Sequence, residues 1–451
     1  MRQRIALMVL LLAMVGGSPG SLFPAAPSPF SPDECARRRV QLMANAREGL
    51  IVLFGETSPR PGARFRQDND FYYLTGCNDR EAALVLLAAR GEAHLFLPEQ
   101  SAREIMVDGG NLLTEDGAAA RLKLKSIAGL SALDEFLARQ FKAVGSVIYT
   151  RLAQGDALDA DRYEERLLTA RLKRSRFNDF PGRDQVRAAK LQESFPEAEL
   201  RDVTPLLEAM RLIKGTAELD SLRRNGRLTA EAVRQAMRQT TPGAGEYTLE
   251  GVVTGWVLGH GASGVAFKPI VAAGLNACTW HYERNDKILA AGELVLMDFG
   301  ADLDHLCMDI SRTWPVSGTF SPEQREIYQA VLEVQKATIA ACRPGVKAAE
   351  VRQHVAEALA AKKIDTRGLQ GDIHHFVGMS THEGMLLGGP LQQGMVLTVE
   401  PGLYFPEKSI GVRIEDTIVI TADGCEVLTA AAPKEIDEIE ALMKAMKARA
   451  K

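Results

Sequence analysis

Short apolar runs alternate with helical spacing over the first part of the chain. Leu50–Phe54, Ala82–Ala88 and Ala93–Leu97 are mainly apolar and are bounded by Gly, Asn, Asp or charged residues, which is the pattern of buried strands. Leu130–Phe141 has the spacing of a helix instead. This alternation predicts an N-terminal α/β domain over about residues 33–200, in which the sequence shows no evident chemistry.

The pattern changes near residues 205–216. Asp202–Lys214 predicts a connecting helix with Pro205 in its first turn. A longer helix is predicted from Glu218 to about Arg238. Further helices are predicted over about 247–259, 322–341 and 347–362, and between them lie four strand runs, Leu294–Phe299, Leu306–Trp314, Met395–Leu403 and Val412–Ile420. We therefore predict a second domain over residues 205–451, of the α+β class, with its strands grouped in pairs.

The N-terminus has the pattern of a targeting segment. Arg2 and Arg4 precede an apolar run of eleven residues, Ile5–Val15, and small residues follow. Such a run fits the core of a signal peptide and is shorter than the roughly 20 residues that span a bilayer. We expect residues 1–25 to be a signal peptide and the mature protein to be exported, to the periplasm or the extracellular space. An uncleaved membrane anchor is the alternative. No later run reaches 18 apolar residues, so no membrane association is expected after cleavage.

Composition excludes several classes of protein. The chain has 451 residues, of which 54 are basic and 58 acidic, for a net charge of −4. A balance this close to zero argues against a nucleic-acid-binding protein. Six cysteines without a Cys-x-x-Cys pair argue against a disulfide scaffold, a zinc ribbon and a thioredoxin motif. Disulfides are permitted in an exported protein, and their pairing stays open.

Four carboxylates interrupt the apolar strand runs of the second domain. Asp298 and Asp309 lie in the first two runs, on either side of a turn expected at Gly300–Asp302. Glu400 ends a strand before Pro-Gly, and Glu415 is expected in the middle of the last strand. A carboxylate in a buried strand is costly unless it is paired or binds a metal ion. The alternative is a set of exposed hairpins with solvated acids.

A histidine-rich segment strengthens the metal hypothesis. His374, His375 and His382 lie close together in the sequence. Four carboxylates and one imidazole, without cysteine, suit Mn²⁺ and tolerate Co²⁺, Fe²⁺ or Zn²⁺. Two divalent ions would balance four carboxylate charges, and two ions about 3.5–4 Å apart can share a water molecule and lower its pKa. The sequence thus favours a site for two divalent metal ions, with Mn²⁺ preferred.

These residues resemble a known ligand set. Asp298, Asp309, His375, Glu400 and Glu415 match the order and approximate spacing of the five metal ligands in the metallopeptidase family that includes methionine aminopeptidase, prolidase and aminopeptidase P. The chain is similar to the aminopeptidase P branch in three further segments, Phe65–Leu87, Met210–Arg224 and Gly411–Ile420. The resemblance covers nearly the whole chain after residue 25.

The resemblance implies a fold and a ligand arrangement. The C-terminal domain would have the pita-bread fold, in which two pseudo-symmetric α+β halves surround two metal ions. Asp309 and Glu415 would bridge both ions. Asp298 would complete the coordination of one ion, and His375 and Glu400 that of the other.

The resemblance also implies catalytic roles. Glu400 would shuttle a proton from the bridging water. His281 and His382 would steady the scissile carbonyl and the tetrahedral intermediate, and Arg413 would orient the ligand carboxylates. The implied reaction is removal of the N-terminal residue from peptides with proline in the second position, by attack of a metal-bridging hydroxide. Gly371 stands where the branch commonly has another histidine on the substrate side, which puts the proline preference in question.

Other functions within the same family are the alternatives. A prolidase that cleaves only Xaa-Pro dipeptides is the main alternative. A non-catalytic binding protein on the same fold is a second, although all five ligands are present. Creatinase-like amidinohydrolases lack the full ligand set, which argues against that activity. Relatives often use the N-terminal domain to form dimers or tetramers, so a homodimer or homotetramer is expected.

Overall fold

The computed structural model describes residues 28–57, 64–152, 174, 177, 182–361, 375–383 and 389–449. The predicted signal peptide, residues 1–25, lies outside the described residues, as do Gly371 and His374. No helix in the described part of the chain is both long enough and apolar enough to cross a membrane.

One sheet of six strands organises the N-terminal part of the protein. Its strands are β1 (Leu50–Phe54), β2 (Ala83–Leu87), β3 (Glu92–Leu97), β4 (Ser126–Gly129), β5 (Val147–Thr150) and β6 (Glu199–Asp202), in the order β4-β3-β2-β1-β5-β6. Strand β2 is antiparallel to its neighbours β1 and β3, whereas β4 pairs in parallel with β3, β5 with β1, and β6 with β5. The sheet is therefore mixed.

The uninterrupted apolar sequence of β1 follows from burial on both faces of this sheet. Ile51 and Leu53 belong to one apolar core, and Leu50 and Val52 belong to another. Because successive side chains of a strand point to opposite faces, only a strand covered on both sides needs apolar residues throughout. The described residues of this region include the helices Pro32–Ala46, Asn69–Thr75, Ala102–Asp108, Ala118–Arg121, Leu133–Val144 and Arg183–Ser194.

Two consecutive helices lead into the C-terminal part. Thr204–Leu212 has Pro205 in its first turn, as predicted, and Thr216–Gln239 follows after a short break. Leu207 and Met210 of the first helix pack into the N-terminal core. The connecting helix is thus part of the surface between the two regions.

In the described residues of the C-terminal part, the strands form four small antiparallel sheets, and further helices accompany them. The strands are β7 (Gly264–Val265), β8 (Ile270–Ala273), β9 (Leu294–Phe299), β10 (Ala301–Leu303), β11 (Leu306–Cys307), β12 (Ile310–Pro315), β13 (Val396–Val399), β14 (Gly402–Phe405), β15 (Ile410–Arg413), β16 (Asp416–Ile420) and β17 (Cys425–Val427). They form sheets in the orders β11-β10-β7, β12-β9-β8, β13-β16-β17 and β14-β15. The helices are Glu246–Gly259, Pro322–Ala341, Ala348–Ala361 and Ile436–Arg449. Short 3₁₀ segments lie at Ala88–Arg90, Leu112–Thr114, Leu130–Ala132, Gly274–Cys278 and Pro406–Lys408.

Three of the four long strands predicted from the sequence are interrupted, and in this respect the prediction was wrong. Asp309 lies between β11 and β12, Glu400 follows β13, and Glu415 lies between β15 and β16. At the last break the chain changes sheet, because β15 pairs with β14 whereas β16 pairs with β13. The backbone N–H of Glu415 donates instead to the carbonyl of Ser311, at 3.0 Å. The acids therefore lie where one sheet ends and the next begins.

The turn expected at Gly300–Asp302 was also placed wrongly. Ala301–Leu303 is strand β10, and the turn follows at Asp304 and His305, which both have positive φ angles, 55° and 60°. Two such residues form the hairpin turn that matches the twist of antiparallel strands. Gly300 has a different role, because a Cβ atom there would lie 1.5 Å from the carbonyl oxygen of Met308.

Candidate metal centre

Three of the predicted ligands form one buried cluster. Asp309, His375 and Glu415 each offer one ligand atom, and these three atoms all lie within 4.8 Å of one another. Nε2 of His375 lies 3.5 Å from Oδ2 of Asp309 and 3.5 Å from Oε1 of Glu400. The fold therefore brings together residues that are more than a hundred positions apart in the sequence.

Asp298 reaches the same cluster from β9. It lies opposite Ser311 in the pairing of β9 with β12, and its carboxylate is close enough to Asp309 to raise the pKa of that residue. Within the described part of the chain, Oδ1 of Asp298 and Oδ1 of Asp309 are buried and accept no hydrogen bond. A buried carboxylate oxygen without a donor is costly, so both atoms fit positions that face a cation.

The electrostatics of the cluster point in the same direction. Burial raises the pKa of Asp309 well above its ordinary value, and the charges of Glu415, Asp298 and Glu400 raise it further. Burial likewise raises the pKa of Glu415 and of Glu400, while Arg413 opposes the effect in both. Four acids that repel one another in a buried site form a favourable environment for divalent cations. The clustered acids thus form a site that suits divalent metal ions.

Hydroxyl groups two positions from the ligands fix the carboxylates. Thr398 donates from Oγ1 to Oε1 of Glu400 at 3.2 Å, and Ser311 donates from Oγ to Oε2 of Glu415 at 2.8 Å. Thr398 also accepts from the backbone N–H of His375 at 3.2 Å. Thr398 lies two positions before Glu400 and Ser311 two positions after Asp309, so each hydroxyl comes from the strand beside a predicted ligand and binds a carboxylate of the cluster.

Arg413 contacts Asp298 directly and Glu415 through the hydroxyl of Ser311. Its Nη2 donates to Oδ2 of Asp298 at 2.5 Å, and its Nε donates to Oγ of Ser311 at 2.8 Å, the hydroxyl that in turn holds Glu415. Its Nη1 donates to the hydroxyl of Tyr404 at 3.1 Å. Arg413 as a whole is 5% exposed, so water has little access to these contacts. These contacts are what a residue that orients ligand carboxylates requires, and that role of Arg413 stays a prediction.

The two predicted substrate-side histidines have different surroundings. The ring of His382 lies 3.9 Å, between centroids, from the ring of His375, which places it beside the cluster. His281 is exposed and belongs to the segment whose Trp280 ring lies 5.9 Å from that of Tyr404. The structure therefore joins His382 directly to the site, and it places the segment of His281 at the site's edge.

The sequence reasoning missed the supporting residues Ser311, Thr398 and Tyr404. The first two had a usable signal, because each is a hydroxyl residue two positions from an acid in an apolar strand. Tyr404 had no such signal, since its hydroxyl reaches Arg413 only through the pairing of β14 with β15.

A second buried ion pair supports the residue after Glu415 and was also missed. Arg312 and Asp416 are fully buried and lie 2.6 Å apart. Asp416 also accepts from Gln335, Thr429 and Lys434, at 2.7, 2.7 and 2.6 Å. Burial would raise the pKa of Asp416, but the charges of Arg312 and Lys434 hold that pKa well below its ordinary value. The backbone that carries Glu415 is thereby held to the C-terminal region.

The chain matches two family models in sequence order. The model of the aminopeptidase P N-terminal domain matches residues 35–149, and that of metallopeptidase family M24 matches residues 220–422. Both matches lie inside the predicted domains, 33–200 and 205–451, whose boundaries stay predictions.

Similarity to individual proteins extends over nearly the whole chain. The Xaa-Pro aminopeptidase of Escherichia coli (strain K12) is 33% identical, over 92% of this chain and 98% of that protein. A structure of Escherichia coli aminopeptidase P in complex with substrate has a TM-score of 0.78 at 30% identity, covering 93% of this chain and 99% of that one. The zinc-substituted Escherichia coli enzyme in complex with product has a TM-score of 0.78 at 31% identity, covering 92% and 99%.

These similarities confirm the predicted fold class, an N-terminal α/β domain followed by a C-terminal domain of the pita-bread fold. They agree with the order of elements in the structure and with the cluster of acids where the small sheets meet. The chain belongs to metallopeptidase family M24, in its aminopeptidase P branch.

Proposed function

We propose that this protein is a metal-dependent aminopeptidase that removes the N-terminal residue from peptides with proline in the second position. The observation that carries the proposal is the buried cluster of Asp309, His375 and Glu415, with Glu400 and Asp298 beside it. The cluster occurs in a chain that aligns over 92% of its length with an Xaa-Pro aminopeptidase.

The five clustered residues would hold the metal ions. Two divalent ions bound there would polarise the scissile carbonyl and lower the pKa of a water molecule that attacks it. A donor set of four carboxylates and one imidazole favours Mn²⁺, and Co²⁺, Zn²⁺ and Fe²⁺ are the alternatives. Each of the five assignments is a prediction that single substitutions can test.

The chain's own residues would bind the peptide and move the proton. The carboxylate of Glu400 would accept a proton from the attacking water and deliver it to the leaving proline nitrogen. His382, and His281 after movement of its exposed segment, would donate hydrogen bonds to the carbonyl oxygen as negative charge develops on it. Arg413 would keep Asp298 and Glu415 oriented throughout.

Proline at the second position is a chemical reason for a dedicated site. The bond before proline is a tertiary amide without an N–H group. A peptidase that recognises its substrates through the N–H of the scissile bond therefore cannot bind this bond in the same way. A site that acts through the carbonyl oxygen and the free amine of the substrate does not need this donor.

Hydrolysis of Ala-Pro-Ala tests the proposal directly. The purified protein is treated with a chelator and assayed with and without added Mn²⁺, with Asp309→Asn as the control. We expect release of alanine only from the unsubstituted protein with metal. Absence of hydrolysis with Mn²⁺, Co²⁺, Zn²⁺ and Fe²⁺ would contradict the enzyme assignment. Cleavage of Ala-Pro but not of Ala-Pro-Ala would favour the prolidase alternative.

We further propose that the protein is exported and forms a homodimer or homotetramer. The apolar run Ile5–Val15 after two arginines supports export. N-terminal sequencing of the protein from fractionated cells would test it, and full-length protein in the cytosolic fraction would contradict it. Light scattering during size-exclusion chromatography would give the number of subunits, and a monomer would contradict the proposed assembly.

A further inference from the structure

A buried carboxylate directly after His382 makes contacts that no catalytic role explains. Glu383 is 8% exposed. Its Oε1 accepts from Nε and Nη2 of Arg211, at 3.0 and 2.5 Å, and from the backbone N–H of Met379 at 2.9 Å. Its Oε2 accepts from Nζ of Lys214 at 2.5 Å. The carboxylate of Glu383 therefore forms ion pairs with two positively charged side chains in the protein interior.

The segment that carries the two histidines is wrapped around this carboxylate. The backbone N–H of Glu383 donates to the carbonyl of Phe376 at 2.9 Å, which closes the loop from 376 to 383. Gly378 lies against the carboxylate, and a Cβ atom at Gly378 would lie 1.6 Å from Oε2 of Glu383. His375 immediately precedes the closed loop and His382 lies within it, so the position of the carboxylate determines the shape of the backbone between their rings.

The groups that bind this loop come from outside the catalytic domain's strands. Arg211 lies in the last turn of the connecting helix Thr204–Leu212, and its Nη1 donates to Oδ1 of Asp70 at 2.8 Å. Asn69 donates from Nδ2 to the hydroxyl of Ser380 at 2.9 Å. Asn69 and Asp70 belong to the N-terminal segment Phe65–Leu87, in which the sequence showed no chemistry.

Arg66, from the same segment, binds the loop as well. Its Nη2 donates to the carbonyl of Met379 at 2.8 Å, and its Nε donates to Oδ2 of Asp302 at 2.6 Å. The N-terminal domain and the connecting helix thus bind the same loop that carries His382, whose ring lies 3.9 Å from that of His375.

We propose that Glu383 is a positioning residue for His375 and His382, and that Arg211 and Lys214 hold it for this task. The inference rests on the proposed aminopeptidase function, which gives the two histidines their roles. The N-terminal segment Phe65–Leu87 would then contribute to catalysis indirectly. From it, Asp70 binds Arg211 and Asn69 binds Ser380 in the loop.

The charges of this support balance. Arg211 and Lys214 supply two positive charges, and Glu383 and Asp70 supply two negative ones, all in side chains that are at most 4% exposed. Removing one partner of a buried pair leaves an uncompensated charge and is strongly destabilising. An arrangement of the loop with the carboxylate of Glu383 elsewhere would therefore leave the buried charges of Arg211 and Lys214 uncompensated.

A matched variant separates positioning from stability. Glu218 is 4% exposed, lies near the same junction and pairs with Arg38 at 3.0 Å. Its side chain also accepts from the backbone N–H of Gly215 at 3.0 Å, and none of these partners belongs to the loop from 376 to 383. Glu218→Gln is thus the same chemical change in a similar environment. It removes no hydrogen bond to the loop from 376 to 383, although Glu218 is close enough for its charge to act on Lys214 and Glu383.

Steady-state kinetics with Ala-Pro-Ala and Mn²⁺ compare the two variants well below their melting temperatures. Because small misplacements of catalytic groups cost up to about 100-fold in rate, we expect Glu383→Gln to lower kcat by about 10- to 100-fold. For Glu218→Gln we expect kcat within about twofold of the unsubstituted protein. An equal effect of the two substitutions on kcat would overturn the proposal.

A second measurement does not depend on activity. Metal-free protein with ¹³C-labelled histidine rings gives one resonance for each ring, assigned by His375→Gln and His382→Gln. In Glu383→Gln we expect the resonances of His375 and His382 to move or broaden while that of His94 stays. Unchanged resonances would overturn the proposal. Inactive unsubstituted protein with the expected spectral change would instead contradict only the proposed function.

Lys214 supplies the same test if Glu383→Gln does not fold. Lys214→Met removes one of the two charges that hold Glu383, and Lys214→Arg restores a charge there. We expect Lys214→Met to show the loss of kcat and the histidine shifts, and Lys214→Arg to recover both at least in part. Equal behaviour of the two substitutions would overturn the proposal.

Discussion

Arg413 donates to the carboxylate of Asp298 at 2.5 Å from a strand that is not in the same sheet as Asp298. The same guanidinium reaches Glu415 through the hydroxyl of Ser311. One buried cation thereby sets the direction of two acids that lie far apart in the sequence. Since it competes with neither acid's second oxygen, it orders the site and leaves those oxygens for metal ions.

Replacing Arg413 by lysine should weaken metal binding. A lysine keeps the charge but cannot reach Asp298, Ser311 and Tyr404 together, because it lacks the planar fork of the guanidinium. Loss of a residue that orients ligands typically costs about 10- to 100-fold in metal affinity or activity. Calorimetric titration of the chelator-treated protein with Mn²⁺ measures the change. Arg223→Lys, at the partly exposed pair with Glu426, is the control, and an equal loss of affinity there would contradict the prediction.

Asp309→Asn should have opposite effects on stability with and without metal. Without metal, Asp309 repels Glu415, Asp298 and Glu400, which is one reason why its pKa is raised. Removing its charge should then raise the melting temperature. With metal, the unsubstituted protein gains RT ln(1 + [L]/Kd), about 2.7 kcal/mol at a hundredfold excess over Kd, and the variant loses most of that gain.

Thermal unfolding of both proteins, with a chelator and with Mn²⁺, checks this reversal. The fold must be intact in both, which circular dichroism establishes. A variant that is less stable than the unsubstituted protein under both conditions would contradict the repulsion argument, although it would still be compatible with a ligand role.

Local patterns in the sequence were sufficient to predict the elements and most of the clustered side chains. Leu50–Phe54, Leu294–Phe299 and Pro322–Ala341 are observed with the predicted limits. The acids stood out because each interrupts a run of apolar residues. The strand breaks beside Asp309, Glu400 and Glu415 were not predictable, because apolar periodicity does not show where a chain leaves one sheet and joins another.

The contacts that hold the loop from 376 to 383 could not be predicted from the sequence, for a different reason. Arg211 and Glu383 are 172 positions apart, and neither has an unusual local pattern. Charged residues in such positions are ordinarily exposed to solvent. Only the structure shows that Arg211 and Glu383 are buried and therefore paired with each other. The requirement for glycine at position 378 also becomes visible only in the fold, because it comes from the proximity of Glu383.

Gly378→Ala should impair activity more than stability alone explains. The added Cβ would lie 1.6 Å from Oε2 of Glu383, so either the carboxylate or the loop must move, and His382 moves with it. Gly255→Ala is the control, because Gly255 is in a helix, is exposed and has no atom within 4 Å of the added Cβ. That substitution should stabilise the protein by roughly 0.5–1 kcal/mol. Equal kcat values for the two variants would contradict the prediction.

Glu383 and Glu218 should give stability contributions with opposite dependence on pH. Burial raises the pKa of Glu383, but Lys214 and Arg211 outweigh burial and hold the pKa below its ordinary value. Burial dominates at Glu218 and raises its pKa, although Arg38 opposes it. A lowered pKa in the folded state means stability that is present above the unfolded pKa of about 4.3. This stability is lost as the pH falls through the folded value.

The raised pKa of Glu218 has the opposite consequence, because its contribution is complete below about pH 4.3 and is lost as the pH rises through the folded value. Urea unfolding of metal-free protein between about pH 7 and about pH 3.5 therefore separates the two. The free-energy difference between the unsubstituted protein and Glu383→Gln should shrink toward low pH, whereas the difference from Glu218→Gln should shift in favour of the unsubstituted protein. Parallel pH profiles would show that Arg211 and Lys214 do not hold Glu383 as an anion, because the pKa values of both buried acids would then be shifted in the same direction.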